Sequence, residues 1–291
     1  MVGIKLEGRL GNQMFEYAFI ISVSKNKGQQ YFLEKEGAPI EIYKYFKLRK
    51  NLFYYIDILF FNSEKFGLFF CHYLRGSFYG LIKKIFIEKN IHVANTEDPS
   101  SVLEKITDKN FYVGHFQSYL YFKNNQQDVL CAFSLKKKIA RDYQKRFQFP
   151  IQKKKVTIHI RRTDYTELAH MNLGDGDLTL PFSYYHRLIK KIHSDDCYYI
   201  FISDDPAVIE QEFNYLPNKF ISNDSAIVDF QHMLNADICI IANSTFSWWA
   251  AYLNHTPDKI VYCPKYFLGF KVKHDYPANI YPPGWITEIV N

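Results

Sequence analysis

The sequence has few cysteines and no long apolar run, and both absences restrict where this chain can work. Its five cysteines include no Cys-x-x-Cys pair, and Cys197, Cys239 and Cys263 lie inside apolar runs. An odd number of thiols in such positions indicates buried free cysteines in a reducing compartment. The first residues contain no apolar stretch of signal-peptide length, and no run of about 18 apolar residues occurs anywhere. We therefore expect a cytoplasmic protein without a transmembrane helix.

Several common nucleotide and metal motifs are also missing. The sequence has no GxxxxGK[ST] phosphate loop, no GxGxxG dinucleotide fingerprint and no HExxH zinc pattern. These absences argue against a P-loop kinase, a nicotinamide enzyme and a zinc enzyme. The net charge of +6 is mild, and its lysines are spread over separate clusters such as residues 136–138 and 153–155. This distribution suits an anionic substrate or an acidic membrane surface and falls short of a nucleic-acid-binding stripe.

The composition is that of a folded globular protein. The 291 residues are 47% hydrophobic and 23% charged, which fits one large domain or two of moderate size. Pro150 and the lysine cluster after it mark a plausible linker. We predict an amino-terminal lobe at residues 1–150, a carboxyl-terminal lobe at 151–270 and a tail at 271–291 that packs back on the first lobe.

The second half of the sequence alternates apolar runs with helical patterns. Strands are predicted at residues 156–160, 198–202, 237–242 and 259–262, and helices at 183–193, 226–235 and 246–253. Continuous apolar strands are typical of a parallel sheet that is covered on both faces. Because parallel crossovers are right-handed, all strand carboxyl ends share one edge, which is the ligand-binding side of such sheets.

Charged and small polar residues follow three of these predicted strands. Arg161 and Arg162 follow the first, Asp204 and Asp205 follow the second, and a helix start at residues 243–245 follows the third. Arginine presents a planar fork of donors that fits phosphate, and a helix amino terminus binds anions. Each feature alone has a structural explanation, as an ion pair or a helix cap. Their common placement favours a nucleotide diphosphate, with carboxylates on a ribose hydroxyl or on a base with N–H donors, such as guanine.

The first half gives a weaker pattern. Residues 2–6 form a predicted strand, residues 8–13 a glycine-bracketed turn, and the residues after them have helical spacing. This pattern predicts a first βα unit whose loop lets a ligand approach the backbone. Residues 40–92 alternate aromatic side chains with lysines, and residues 111–116 are another predicted strand. The aromatic residues can fill a core, which we favour, or contact an anionic membrane surface.

Asp175 and Asp177 form an acidic Asp-Gly-Asp sequence of the kind that carries a metal ion in some sugar-nucleotide enzymes. The two residues lie in a glycine-rich stretch far from any predicted strand end. Hard cations need more ligands than two nearby carboxylates. We therefore predict no metal site, because the arginine pair can itself stabilise a departing diphosphate.

The chain resembles the α-1,2-fucosyltransferases of glycosyltransferase family 11 in four segments: GRLGNQMFEYA, HIRRTDY, FISDDP and DFQHMLNADICIIANSTFSWWAAYLN. The HxRRxD element is shared more loosely with α-1,6- and protein O-fucosyltransferases. The resemblance implies an α/β, GT-B-like fold of two Rossmann-like lobes with a donor-binding crevice between them. It also implies GDP-fucose as the donor, no metal or other cofactor, and inversion at the anomeric carbon.

The resemblance also implies roles for residues in the matching motifs. Arg161 and Arg162 are expected to bind the diphosphate, with His159 near the nucleotide. Asp204, with Asp205 beside it, is expected to contact guanine. The phosphate-side helix start is expected at Ser244, Thr245 and Phe246, and contacts with fucose and phosphate are expected from Arg9, Asn12 and Gln13. Arg9 stands where family 11 usually has a second glycine. Protein O-fucosyltransferases carry an arginine at this position.

The expected mechanism is a single in-line displacement in which an acceptor hydroxyl attacks the fucose anomeric carbon. Arg161, Arg162 and the helix start would stabilise the charge on the departing GDP. Asp164, Glu7 and Glu16 are candidates for the general base, and Asp164 would alternatively orient Arg162.

The acceptor and the partners follow from the resemblance alone. Bacterial members act on galactose-terminated glycans, often lipid-linked, so peripheral contact with the inner face of the plasma membrane is expected. Another GDP-sugar transferase and a non-catalytic carbohydrate-binding protein are the alternatives. The sequence contains no pattern that indicates an oligomeric state.

Overall fold

The structure is a computed structural model that describes residues 1–35, 40–61, 68–150 and 152–291. The chain forms two compact units. The amino-terminal unit consists of Met1–Lys136 with Ala278–Ile280, and the carboxyl-terminal unit consists of Lys137–Pro277 with Tyr281–Asn291. Each unit has its own parallel sheet with helices packed on it, so the α/β class predicted from the sequence is confirmed.

The amino-terminal unit contains a four-stranded parallel sheet in the order β2-β1-β4-β3. Its strands are β1 (Val2–Lys5), β2 (Tyr31–Glu34), β3 (Lys89–His92) and β4 (Asn110–Val113). Its helices are α1 (Leu10–Lys27), α2 (Glu41–Tyr45), α3 (Leu52–Phe60), α4 (Leu68–Phe86), α5 (Pro99–Glu104) and α6 (Gln126–Ala132). The predicted first strand, turn and helix are therefore confirmed.

Strand β4 ends earlier than the predicted strand at residues 111–116. Gly114 follows it with a φ of 147°, and a Cβ there would lie 2.5 Å from the carbonyl oxygen of Val93. Only glycine fits this close approach between two backbones. The residues after Gly114 therefore turn away from the sheet, which brings His115 and Gln117 to its carboxyl edge.

A buried ion pair joins helices α3 and α4 to the sheet. Arg75 Nε donates to Asp57 Oδ1 at 3.0 Å, and the hydroxyls of Tyr43 and Tyr79 each donate to Asp57 at 2.9 Å. Arg75 also donates to the backbone carbonyl of Leu33 at the end of β2. This network lies beside a small aromatic core that includes Phe53 and Tyr79. The part of the aromatic segment at residues 62–67 lies outside the described residues.

We expect Tyr79→Phe to lower the free energy of unfolding by about 1.5 to 3 kcal/mol, because it removes a hydrogen bond to a buried carboxylate. Tyr55→Phe is the matched control, since Tyr55 lies on α3 and is 48% exposed. Its effect should stay within about 0.5 kcal/mol. Urea unfolding of both variants measures the difference, and equal values would mean that the network adds nothing to stability.

The carboxyl-terminal unit contains a six-stranded parallel sheet in the order β10-β9-β8-β5-β6-β7. Its strands are β5 (Lys154–Ile160), β6 (Cys197–Ser203), β7 (Lys219–Ile221), β8 (Ile238–Ile240), β9 (Ile260–Pro264) and β10 (Ile286–Glu288). Its helices are α7 (Lys137–Arg146), α8 (Phe182–Ile192), α9 (Pro206–Glu212), α10 (Ala226–Leu234) and α11 (Thr245–Leu253). The predicted strands and helices of this half are confirmed.

The strand order of this sheet reverses between β5 and β8. From β5 the chain continues outward through β6 and β7, and it then crosses to β8 on the other side of β5. Ligands of open parallel sheets bind outside the carboxyl ends of the strands at such a reversal. The residues that follow β5 and β8 therefore occupy the favoured binding position of this unit.

The division of the chain differs from the predicted boundary at residue 150. Helix α7 belongs to the carboxyl-terminal unit, where the hydroxyl of Tyr143 lies 2.9 Å from Nδ1 of His232. Of the predicted tail at 271–291, only Ala278–Ile280 groups with the amino-terminal unit, where Ser118 donates a hydrogen bond to the carbonyl of Asn279. Strand β10 instead pairs with β9. No helix in the described part of the chain is both long and apolar enough to cross a membrane.

Candidate active site

The carboxyl edge of the second sheet brings the predicted arginines and carboxylates together. Ile160 at the end of β5 pairs with Ser203 at the end of β6, so the residues that follow these strands are neighbours. Arg161 Nη1 lies 3.3 Å from Asp204 Oδ2. The sequence predicted this meeting because parallel strands end at one edge of the sheet.

Asp164 holds the guanidinium of Arg161 in one orientation. Arg161 donates from Nε to Asp164 Oδ1 at 2.8 Å and from Nη2 to Asp164 Oδ2 at 2.7 Å. This bidentate geometry fixes the plane of the guanidinium group. The sequence interpretation had Asp164 orienting Arg162, whereas the structure pairs it with Arg161. Burial acts to lower the pKa of Arg161, but Asp164 and Asp204 outweigh it and raise that pKa.

The acidic pair after β6 has structural partners in the unit. Asp204 accepts hydrogen bonds from the backbone N–H of Arg162 at 3.0 Å and of Thr163 at 3.2 Å. Asp205 is the N-cap of α9, where its carboxylate accepts from the N–H of Val208 at 3.4 Å. A helix cap is the structural alternative that the sequence left open for these acidic residues. Asp204 therefore shapes the loop that carries the arginines.

Arg162 lies over the aromatic ring of Phe182, with its guanidinium carbon 4.7 Å from the ring centroid. Phe182 is the first residue of α8, so this cation–π contact fixes the second arginine against a rigid element. Both arginines are partly exposed, which leaves them accessible to a ligand. Two fixed guanidinium groups at one strand end are therefore the candidate site for an anion.

The third part of the site is the start of helix α11. Ser244 is its N-cap, and Thr245 and Phe246 are its first residues. Tyr165 joins this helix start to the arginine loop, because its hydroxyl donates to the carbonyl of Asn243 at 3.1 Å. Burial raises the pKa of Tyr165 to about 12, so the hydroxyl remains a donor at neutral pH. Tyr165 belongs to the HIRRTDY segment, but its position in the sequence did not indicate a role for its side chain.

His159 lies under this edge rather than on it. Its side chain is 4% exposed, and its ring lies 5.6 Å from the ring of Phe246. Burial first and then the charge of Arg161 lower the pKa of His159 to about 3, so the imidazole is neutral. Among the described residues, its Nδ1 has no hydrogen-bond partner.

The Asp-Gly-Asp sequence is engaged in local contacts. Asp175 Oδ1 lies 2.6 Å from the ammonium of Lys271. Asp177 accepts hydrogen bonds from the N–H and the hydroxyl of Thr179 at 2.8 and 2.7 Å. In the part of the chain that the structure describes, no three His, Cys, Asp or Glu side chains are grouped so that they could hold a metal ion.

The amino-terminal unit positions the predicted residues Arg9, Asn12 and Gln13 around the start of α1. Arg9 is exposed at the N-cap position, and Asn12 accepts a hydrogen bond from Gln117 at 3.1 Å. Gln13 is fully buried, where its amide nitrogen donates to the carbonyl of Gly8 at 3.2 Å and its oxygen accepts from the N–H of Glu41 at 2.9 Å. Gln13 therefore holds the loop together from inside, and its expected donor contact stays a prediction.

A buried carboxylate and a histidine form a pair that sequence reasoning did not predict. Glu16 in α1 is fully buried, and its Oε1 lies 3.2 Å from Nδ1 of His115. Its other oxygen accepts from the N–H of Glu7 at 2.9 Å. The side chain of His115 is 33% exposed. The pair thus links a buried carboxylate to an accessible imidazole, and nothing in the local sequence around position 115 indicated it.

The pair has an altered proton affinity. Burial raises the pKa of Glu16 to about 7, although the contact with His115 acts in the opposite direction. Burial acts to lower the pKa of His115, but the hydrogen bond and charge of Glu16 outweigh it and the pKa is raised. A pair of this kind exchanges a proton near neutral pH.

The two parallel α/β units define a GT-B-like fold, and solved fucosyltransferases share it. The fucosyltransferase NodZ from Bradyrhizobium aligns with a TM-score of 0.51 at 12% identity, over 86% of this chain and 93% of that one. POFUT1 in complex with GDP aligns with a TM-score of 0.52 at 11% identity, over 90% of this chain and 97% of that one. The chain belongs to glycosyl transferase family 11, whose model matches residues 82–288. The family expected from the four sequence segments is confirmed.

Two proteins of Escherichia coli are similar in sequence. The O-antigen biosynthesis glycosyltransferase WbnK is 38% identical over 120 residues, which are 39% of each chain. The present chain therefore spans well under half the length of that relative. An alpha-1,2-colitosyltransferase is 26% identical over 273 residues, which are 91% of each chain. Both relatives are glycosyltransferases by name.

Proposed function

We propose that this glycosyltransferase moves L-fucose from GDP-fucose to the 2-hydroxyl of a terminal galactose on a glycan or lipid-linked oligosaccharide. The observation that carries the proposal is the joint position of Arg161, Arg162 and the start of α11 at the strand reversal of the carboxyl-terminal unit. This arrangement supplies charge-assisted donors for a diphosphate. Membership of family 11 supports the assignment of the diphosphate to a sugar nucleotide.

The proposed reaction is a single displacement with inversion. The acceptor oxygen forms a bond to the anomeric carbon while the bond from that carbon to the GDP oxygen breaks. Negative charge grows on the departing diphosphate, and Arg161, held by Asp164, stabilises it in the transition state. Asp204 and Tyr165 act indirectly, because they hold the arginine loop and the helix start in place.

The acceptor hydroxyl must lose a proton, and we assign that proton to His115. Asp164 is engaged with Arg161, and Glu16 is fully buried, so neither is suited to contact an acceptor directly. His115 presents its ring to solvent while Glu16 fixes its Nδ1 side. This is the geometry of a carboxylate-oriented imidazole base, in which Nε2 accepts the proton.

The colitosyltransferase relative suggests GDP-colitose as a second donor to be tested. Colitose is the 3-deoxy form of fucose, so the two donors differ by one hydroxyl group. The relative covers 91% of this chain, which makes GDP-colitose the specific alternative to GDP-fucose. A site that hydrogen-bonds the 3-hydroxyl would reject colitose strongly, whereas an apolar site would discriminate weakly.

Thermal stability with added ligands tests the donor assignment. We expect GDP and GDP-fucose, each at about a hundred times its dissociation constant, to stabilise the fold by about 2.7 kcal/mol. UDP should have little effect, and EDTA should change nothing because we propose that donor binding needs no metal ion. A response to UDP, or one that EDTA abolishes, would overturn the donor assignment.

Product analysis then separates the remaining possibilities. Transfer from GDP-fucose and GDP-colitose to galactose-terminated acceptors is measured side by side, with GDP release as the readout. Turnover with only one of the two donors identifies the sugar that the enzyme transfers. If GDP stabilises the fold but no turnover is seen, the proposed acceptor is wrong. If GDP neither stabilises the fold nor is released, a non-catalytic carbohydrate-binding protein is favoured.

A further inference from the structure

Helices α3 and α4 expose large apolar side chains on their outward faces. Three exposed residues on α3 and three on the described part of α4 follow helical spacing: Leu52, Tyr55 and Leu59 on the first helix, and Tyr73, Leu81 and Ile85 on the second. Between 48% and 70% of each of these residues is exposed. We call these six residues the α3–α4 face. Contiguous apolar surface of this kind marks an interaction site in soluble proteins.

The inward side of the same two helices carries a buried ion pair. Asp57 and Arg75 are paired beneath the helices at 3.0 Å, with Tyr79 packed against them. The helices lie side by side, since the ring of Phe61 directly after α3 is 5.6 Å from that of Phe78 in α4. The two helices therefore carry apolar side chains on their outward side as well as against the core, unlike an ordinary surface helix, which confines its apolar stripe to the core side.

Basic residues outnumber acidic ones in the segment that carries the α3–α4 face, although Arg75 is paired with Asp57 and Lys83 with Glu34. Residues 40–89 contain nine lysines and arginines but four acidic residues, in a chain whose net charge is +6. Lys47, Arg49 and Lys50 are exposed immediately before α3. Lys84 is exposed on α4, three residues after Leu81 and hence on the same side of the helix. Of the acids, Asp57 is buried and Glu88 is paired with Lys109 at 2.6 Å.

We propose that the α3–α4 face binds the surface of an anionic lipid bilayer. Its leucine, isoleucine and tyrosine side chains enter the boundary between headgroups and acyl chains, and the surrounding basic residues contact lipid phosphates. A second copy of the chain fits this surface less well, because face-to-face contact would bring two basic rims together. The proposal concerns binding to a membrane surface and does not depend on the donor sugar.

Vesicle co-sedimentation of the full chain tests the proposal. The probes are vesicles of phosphatidylcholine alone and vesicles of equal parts phosphatidylglycerol and phosphatidylcholine. We expect the chain to sediment with the anionic vesicles, and the bound fraction to fall as salt is added. Lys47→Glu with Lys50→Glu should lower the bound-to-free ratio by roughly fivefold for each residue.

Variants of the apolar side chains test whether this surface, rather than another part of the chain, contacts the bilayer. Leu81→Asp with Ile85→Asp should lower binding to anionic vesicles by about tenfold or more. Val272→Asp is the matched control, because Val272 is 44% exposed in the other unit. Circular dichroism melting and GDP-induced stabilisation show whether each variant is folded.

Three results would overturn the proposal. One is a folded wild-type chain that stays in the supernatant with anionic vesicles. Another is a double aspartate variant that sediments as the wild type does. The third is a dimer in size-exclusion chromatography that the aspartate substitutions dissociate, which would assign the α3–α4 face to a second copy of the chain.

Discussion

Arg161→Ala is expected to lower kcat by about 10²- to 10³-fold, which corresponds to roughly 3 to 4 kcal/mol of transition-state stabilisation. The guanidinium of Arg161 is fixed by two bonds to Asp164 and lies 3.3 Å from Asp204, so it is oriented before a ligand arrives. In the proposed mechanism, removing it takes away a donor to the charge that grows on the departing diphosphate. Release of GDP from GDP-fucose in the presence of acceptor measures the loss.

The conservative variant Arg161→Lys makes this test sharper. Lysine keeps the charge but has no planar fork, so it cannot reproduce both bonds to Asp164. We expect a turnover between those of the alanine variant and the wild type. Arg146→Ala is the control, because Arg146 is 60% exposed, is paired with Asp224 and has no part in the proposed site. Full activity of a folded Arg161→Ala variant would remove the phosphate assignment.

The fold of the carboxyl-terminal unit follows from its sequence to a large extent. Strands β5, β6, β8 and β9 were predictable because continuous apolar runs with polar ends have few other solutions. Strands β7 and β10 were missed. Each has three residues and lies at an edge of the sheet, where partial exposure removes the apolar signal.

The aromatic segment of the amino-terminal unit could not be read in the same way. Its local pattern fits a helix with either face buried. Which face is buried depends on an ion pair between two residues that are distant in sequence. Once Asp57 and Arg75 pair beneath the helices, Leu81 and Ile85 are left outside. Core packing was therefore the right prediction for Phe53 and Tyr79 and the wrong one for the α3–α4 face.

Predicting the candidate site succeeded where backbone topology alone decides position. Arg161 and Ser244 follow neighbouring parallel strands, so their approach to one edge needs no knowledge of side-chain contacts. The protein partners of Asp205 and Gln13 depend on side-chain geometry, which the sequence does not give: the structure shows a helix cap at Asp205 and a buried amide at Gln13. The same limit concealed His115, whose partner Glu16 lies 99 residues earlier.

We expect His115→Ala to lower kcat by about 10²- to 10⁴-fold, the usual contribution of a general base. Stabilisation by GDP should be unchanged, because the diphosphate contacts that we propose, Arg161, Arg162 and the start of α11, are all in the carboxyl-terminal unit. Added imidazole should restore part of the turnover, which a purely structural role for His115 would not allow. His255→Ala, an exposed histidine of the carboxyl-terminal unit, is the control.

The pH dependence of kcat gives an independent test of the same residue. The groups that face His115 are Glu16 from α1 and Glu7 from the loop after β1, and Lys5 lies 3.3 Å from Glu7. The active form has ionised Glu16 and neutral His115, so kcat should fall as the pH drops through the pKa of the pair. With the pKa of Glu16 at about 7, that fall begins near neutral pH.

Glu16→Gln should lower kcat and also change this profile. A glutamine presents one acceptor atom, but Glu16 accepts from both the N–H of Glu7 and Nδ1 of His115. If the glutamine amide donates to Nδ1, the proton of His115 moves to Nε2 and the imidazole can no longer accept from the acceptor hydroxyl. Loss of the carboxylate charge also lowers the pKa of His115, so any remaining acid limb moves to lower pH. An unchanged profile in this variant would show that the pair is structural and that another group removes the proton.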